Sequence, residues 1–360
     1  MKSKQKHSKI EAKSSCCGIN KSHQHRPDYL FWIGLIGVSA GYLLHIGVGP
    51  SGWIGTLSHS VFRLMNQMWL GLALGIIALG LLAKVPKEIV QGAMGKGGTF
   101  SGILRACFAG LFLDLCNHGI LMVAAKLYER GVSYGQVLAF LIASPWNSLS
   151  LTLILFSLIG IKWTLLFIAG SAIVAILSGL LASSLINYTS LPENPNTVKL
   201  DREFSLKAEL TRSWSTAAFN RQFFSSLFIN GLRESKVIIR WLLVGTLLAA
   251  CLTTFVPPEA FSKYLGPTLL GLVITLIGST IIEVCSEGSV PIAAELLNEA
   301  KAPGNSFTFL MAGAATDYTE IMVLKETTGR WKLAFLLPLL ALPQVIVLGL
   351  LFNQDSLFSQ

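Results

Sequence analysis

Charge is what this sequence has least of. Only 13% of its 360 residues are Asp, Glu, Lys or Arg, about half the share of an ordinary soluble domain. That scarcity excludes a surface built for water. With 52% hydrophobic residues and a mean hydropathy of +0.60, lipid must be the solvent for much of the chain. Enzymatic signatures are missing too. The stretch from Gly92 to Thr99 is glycine-rich, but its first glycine is misplaced for a phosphate loop and no strand precedes it. An ATP-driven pump therefore has no basis here. Neither His-Glu-x-x-His nor Gly-x-Ser-x-Gly occurs, so an intramembrane hydrolase has no motif to stand on. No enzyme and no cofactor is expected. Six cysteines make no disulfide framework: Cys107, Cys116, Cys251 and Cys285 lie in apolar segments, and Cys16 and Cys17 are adjacent. No cleavable signal peptide is expected, because the first apolar run starts near Tyr29 and is too long for one.

What is present is a series of long apolar runs: 29–49, 68–83, 161–186, 237–256, 267–282 and 331–352. Most approach the roughly 20 residues that span hydrocarbon as a helix. Trp32, Trp69, Trp163, Trp241 and Trp331 stand near their ends, as interfacial anchors do. The expected fold class is an all-α polytopic membrane protein with about 8–11 transmembrane segments.

The net charge is +9, but its distribution points away from nucleic acid, since no recognition fold accompanies it. Lys2, Lys4, Lys6, Lys9, Lys13, Lys21 and Arg26 sit in the tail, and Lys199, Arg202, Lys207, Arg212, Arg221, Arg233 and Lys236 in the central loop. That is the positive-inside pattern of a multi-pass protein of the cytoplasmic membrane with a cytoplasmic tail. The tail also holds His7, Cys16, Cys17, His23 and His25. Two readings fit it: a polybasic anchor near anionic lipid, or metal sequestration by thiolate and imidazole.

The chain also repeats itself. Asp114-Leu-Cys116-Asn-His118-Gly119 returns as Glu283-Val-Cys285-Ser-Glu287-Gly288, at an offset of 285 − 116 = 169 residues. Ala124-Ala-Lys-Leu127 meets Ala293-Ala-Glu-Leu296 at the same offset, and Val85-Pro-Lys-Glu88 meets Val256-Pro-Pro-Glu259 after a two-residue slip. The expected organisation is a tail (1–28), a first span with an interfacial segment (29–67), repeat 1 (68–186), a cytoplasmic linker (187–236), repeat 2 (237–352) and a short end (353–360). With tail and linker both inside, each repeat holds an odd number of crossings. The loop lysines agree: Lys84, Lys87 and Lys96 in one half are opposed by Lys325, Arg330 and Lys332 in the other. Two inverted repeats are therefore expected, with broken or re-entrant helices near the midplane.

The expected breaks lie at Gly119, Pro145, Gly288 and Pro291, and at 313–317. Irregular backbone survives at membrane depth only where it is buried in protein or lines a wet cavity. Around these points stand Asp114, Cys116, Asn117, His118, Asn147, Glu283, Cys285, Ser286, Glu287, Asp317 and Glu320. Carboxylates in hydrocarbon are costly unless protonated, paired or wet, which makes Asp114, Glu283, Glu287 and Asp317 candidates for proton coupling. The alternative for Asp114 and Glu283 is a structural ion pair with Arg105 or Lys126. Cys116, His118, Cys285 and Glu287 form a candidate set for a soft or borderline metal.

At Cys285-Ser-Glu287-Gly-Ser-Val-Pro291, Phe140-Leu-Ile-Ala-Ser-Pro145 and Gly329-Arg-Trp331, the chain resembles the predicted permease family that includes bacterial organoarsenical efflux permeases and related copper/zinc efflux proteins. The resemblance covers residues 68–352. It implies a permease exporting thiol-loving species such as trivalent arsenicals. Family members often carry Cys-Ser-Cys-Gly, where this chain has Glu287 in the second cysteine position and His118 at its repeat mate. The expected function is a secondary transporter of a metal, metalloid or organoarsenical species by alternating access, with the lipid bilayer and a small inorganic or organometalloid substrate as partners. A non-transporting scaffold or accessory subunit is the alternative.

Overall fold

In a computed structural model, residues 28–47, 52–113, 115–143, 149–189, 191–198, 221–255, 265–282 and 286–354 are described, without the side chains of Ser286 and Glu287 among others. Asp114, the stretch 144–148 with Pro145 and Asn147, Glu283 and Cys285, and the Cys/His tail lie outside the described residues. Every regular element described is helical: α1 Tyr29–Gly47, α2 Gly52–Lys84, α3 Lys87–Met94, α4 Phe100–Phe112, α5 Asn117–Glu129, α6 Tyr134–Ala143, α7 Leu149–Tyr188, α8 Arg221–Phe255, α9 Leu269–Ile282, α10 Ser286–Asn298, α11 Pro303–Thr316, α12 Tyr318–Thr328, α13 Trp331–Ala334 and α14 Leu336–Phe352. Four stretches are long and apolar enough to cross a membrane: Tyr29–Gly47, Gly52–Lys84, Leu151–Tyr188 and Trp331–Phe352. Large apolar side chains face outward along them, among them Ile36, Leu165 and Leu339. Such a surface is costly in water and costs nothing in lipid.

The 169-residue offset seen in sequence also relates the helices. Phe100 and Leu269 open α4 and α9; Asn117 and Ser286 open α5 and α10; Tyr134 and Pro303 open α6 and α11; Leu149 and Tyr318 open α7 and α12. The loops match in detail. Thr99 accepts from Gly102 N at the start of α4, and Thr268 accepts from Gly271 N at the start of α9. The Gln136 side chain donates to Met94 O and Gly95 O, and Asn305 donates to Leu265 O and Gly266 O. Gly160 (φ 81°) bends α7, and Gly329 (φ 70°) separates α12 from α13. Both occupy backbone conformations that glycine adopts without a Cβ clash.

Two boundaries expected from sequence differ. No separate interfacial segment ends at residue 67; α2 runs unbroken from Gly52 to Lys84. Likewise the helix of α8 already runs from Arg221, upstream of the boundary expected at 237, and residues 199–220 before it lie outside the described residues. Those upstream turns are mixed in polarity, so hydropathy alone does not mark them as part of a span.

α2 and α8 run antiparallel. Lys84 Nζ donates to Phe223 O (3.0 Å) and Ser226 Oγ (2.7 Å), Gly80 lies against Leu227, Gly231 against Ile76, and Met68 packs with Leu242. α1 runs parallel to α8, with Gly34 against Leu243 and Gly37 against Leu247, and Gly41 faces Val61 of α2. These glycines let the helices approach closely. The main core joins both halves, from Ile120, Leu121 and Met122 of α5 through Val137 and Phe140 of α6 to Phe307 and Met311 of α11 and Val345 of α14.

Candidate functional site

α5 and α10 are 13 residues each, or about 20 Å at 1.5 Å per residue, too short for a hydrocarbon core of about 30 Å. The chain reaches α5 through an extended turn: Leu113 has φ −84° and ψ 107°, and Cys116 has φ −63° and ψ 163°. Cys116 caps α5, its Sγ accepting from Gly119 N at 3.4 Å. Gly119 is therefore not the break itself but the third residue of the helix. Gly288 and Pro291 likewise sit inside α10. The physical need for glycine at 119 is proximity: a Cβ there would lie 3.2 Å from Gly71 O of α2. A Cβ on Gly71 would in turn lie 2.1 Å from Cys116 Sγ, and one on Gly75 would lie 3.0 Å from Gly119 Cα. Two glycines four apart on α2 thus make room for the capped end of α5.

The second half supplies the other part of the site. α11 ends at Thr316, and Asp317 (φ −56°, ψ 132°) caps α12 by accepting from Thr319 N at 2.8 Å. Glu320 follows in the first turn and is fully buried. Asn117 Nδ2 donates to Glu320 Oε1 at 2.7 Å across 203 residues of sequence. The starts of α5 and α12 therefore meet at Asn117 and Glu320, with Cys116 and His118 beside the one in sequence and Asp317 near the other. Both helices present their positive ends here, which favours the carboxylates of Asp317 and Glu320 and suits a ligand with anionic or electron-rich atoms. His118 is buried, and its Nδ1 has no hydrogen-bond partner among the described residues.

Of the expected site residues, Cys116, Asn117, His118, Asp317 and Glu320 stand at the starts of these two helices, and Asn117 and Glu320 are in contact. Asp114, Asn147, Glu283 and Cys285 lie outside the described residues, as do the side chains of Ser286 and Glu287. Among the described residues no group of three or more His, Cys, Asp and Glu comes together as a metal site. Lys126, offered as a partner for Asp114 or Glu283, is paired with Glu129 at 3.1 Å and with Glu234.

Some features were missed from sequence. Thr319, fully buried beside the cap, carried no signal beyond its position after Asp317. The Gly71-x-x-x-Gly75 spacing did carry one. So did Arg240, a cation inside an apolar run: it pairs with Asp28 at 3.1 Å and with Glu326, which also accepts from Trp241 Nε1 at 2.7 Å.

Comparison with known proteins places these features in a family. The family described as "Predicted permease" matches residues 57–354. A Streptococcus mutans protein described as "Putative two-component membrane permease complex subunit" is 24% identical over 279 residues, covering 76% of this chain and 87% of that protein. UPF0718 protein YcgR of Bacillus subtilis is 20% identical over 278 residues, covering 77% and 89%. No solved structure matches the chain. The resemblance seen at the Cys285 and Phe140 motifs thus holds at the level of the family, and the family is one of transporters rather than enzymes. With the match spanning the site and both halves around it, the chain belongs to the predicted permease family.

Proposed function

We propose that the chain is a secondary permease of the cytoplasmic membrane, built of two inverted repeats with its tail on the cytoplasmic side, which exports a metal, metalloid or organoarsenical species by alternating access. The observation that carries this reading is the Asn117–Glu320 hydrogen bond. It couples the start of a half-length helix in one half to a capped break in the other, at a depth where irregular backbone needs protein or water around it. The antiparallel packing of α2 and α8, which correspond at the 169-residue offset, supports the inversion. Cys116 and His118 offer a thiol and an imidazole to a soft or borderline ion. Their repeat mates Cys285 and Glu287 complete the candidate set, and Asp114, Glu283, Glu287 and Asp317 are the candidates for proton coupling. Asn147, Ser286 and the Pro145 break belong to the same proposed region.

The test is a thermal-shift screen of the purified protein against arsenite, methylated arsenicals, zinc and copper(I), followed by transport of any hit into vesicles. A bound substrate should raise stability in proportion to its affinity for the folded state, and Cys116→Ser or Cys285→Ser should remove the shift and the transport. Transport that survives both substitutions sinks the site. The Streptococcus mutans relative, described as a membrane permease complex subunit, favours a second reading, a subunit of a two-component membrane complex. That reading expects a partner to co-purify with the chain and no ligand to stabilise the chain alone.

A further inference from the structure

A second polar cluster lies away from the site, and the transport reading does not use it. Six charged side chains gather where α1 begins: Asp28, Lys126, Glu129, Glu234, Arg240 and Glu326. Lys126 of α5 pairs with Glu129 and with Glu234 of α8. Arg240 of α8 pairs with Asp28 and with Glu326 of α12. The helices held here are the two whose first turns make the candidate site. Lys126 stands nine residues beyond Asn117 and Glu326 six beyond Glu320, about 14 and 9 Å along their helices.

The partners differ in exposure in a way that matters. The cations are nearly buried, Lys126 at 8% and Arg240 at 15%, whereas Glu234 and Glu326 keep about a third of their side chains exposed. A cavity of about 70 Å³ lies between the two pairs, lined by Lys126, Glu129, Glu234, Glu326 and Thr327. Leu79, Met122, Ala125, Val237 and Ile238 line its other side, and the charged wall and the volume together admit water. Ion pairs beside a wet cavity separate at lower cost than dry ones, because water replaces the lost partner. The cluster is also one-sided. At the 169-residue offset Lys126 corresponds to Glu295, Glu129 to Asn298, Glu326 to Ser157, Glu234 to Met65 and Arg240 to Gly71, and no ion pair is drawn from those positions among the described residues.

We infer that the Lys126–Glu234 and Arg240–Glu326 pairs are a latch: α8 clamps the far ends of α5 and α12 and closes the route from the face where α1 starts to the Asn117–Glu320 site. Opening the route requires both helices to leave α8. This rests on the transport reading above, and its test is chosen to be independent of any substrate.

Thr327, at the cavity, is replaced by Cys, and its labelling by a membrane-impermeant maleimide is followed in vesicles with that face outward. Glu234→Lys sets two cations against each other and should raise the labelling rate about tenfold, while the swap Glu234→Lys with Lys126→Glu, made with Glu129→Gln so that the new carboxylate meets no like charge, should bring it back to within about twofold of the parent. Glu326→Gln, which keeps shape and removes charge, should give a smaller rise. Unchanged labelling in Glu234→Lys and Glu326→Gln overturns the latch. So does a rise that the charge swap fails to reverse, since that reports local damage rather than a broken pair. If labelling follows the expected order while the parent moves no substrate in vesicles, the latch stands and the transport reading falls.

Discussion

At two places a half-length helix of one half lies along a helix of the other, and the two contacts are built differently. α5 meets α12 through polar groups at both ends: Asn117 on the buried Glu320 at the start, and Lys126 and Glu326 around a cavity at the finish. α10 meets the first turns of α7 at the corresponding positions. There Leu151, buried, stands where the other contact has Glu320, and the exposed Asn298 donates to Leu158 O at 3.0 Å. The duplicated backbone is kept while the chemistry has diverged. A buried polar contact holds one geometry because every other geometry strands a donor or a charge. Among the described residues, the buried Asn117–Glu320 pair marks α5 and α12 as the contact with a fixed geometry.

The strongest way to break that contrast is to erase it. Glu320→Leu, which installs the residue of the matched position, should destabilise the detergent-solubilised protein by about 3 kcal/mol, because Asn117 loses its partner in a buried place. Glu320→Gln, which can still accept from Asn117, should lose less. Equal melting temperatures for the parent and Glu320→Leu would remove the distinction between the two contacts.

Gly71→Ala should come next, at about 2 kcal/mol, since its Cβ would sit 2.1 Å from Cys116 Sγ and α5 would have to move. Gly47→Ala, with nothing within 4 Å, is the control and should be neutral by the same melting assay.

The Asn pair is a direct comparison of the two contacts. Asn117→Ala removes a hydrogen bond to a buried carboxylate and should cost about 2 kcal/mol, whereas Asn298→Ala removes an exposed one and should cost less than about 1 kcal/mol. Chemical denaturation in mild detergent would measure both, and a reversed order would contradict the fixed geometry of the α5–α12 contact.

The smallest effects should come from the caps that the halves share. Thr99→Ala and Thr268→Ala each remove one N-cap bond, worth about 1 kcal/mol. Hydrogen exchange at Gly102 and Gly271 should rise by similar factors. A large inequality would mean that the loops before α4 and α9 are equivalent in sequence only.

The membrane class was legible in the sequence, and so were the polar residues that stand at the starts of α5 and α12, Asp317 and Glu320 among them, because lipid leaves few polar positions and each one stands out. The exact start of α5 was not: Gly119 looked like the interruption, yet the helix begins at Asn117 and the Cys116 thiol caps it, while the stretch before α10 lies outside the described residues. Helix caps depend on which side chain reaches a free N–H, and a sequence lists capping residues without their reach. That α2 and α8 extend upstream of 68 and 237 escaped for a related reason: amphipathic turns read as surface when their apolar stripe has no visible partner.

Composition alone was sufficient to require a lipid-embedded helical chain, since no arrangement of so few charges covers a protein in water. The 169-residue offset was sufficient to require two related halves, and the structure carried it down to individual loop hydrogen bonds. Which residues of the two halves meet was a different matter. Asn117 and Glu320, or Arg240 with Asp28 and Glu326, are far apart along the chain, and nothing in local pattern or propensity pairs them. Only the crossing of the half-length helices brings such groups within hydrogen-bonding distance, because a buried polar side chain takes the partner that packing puts beside it.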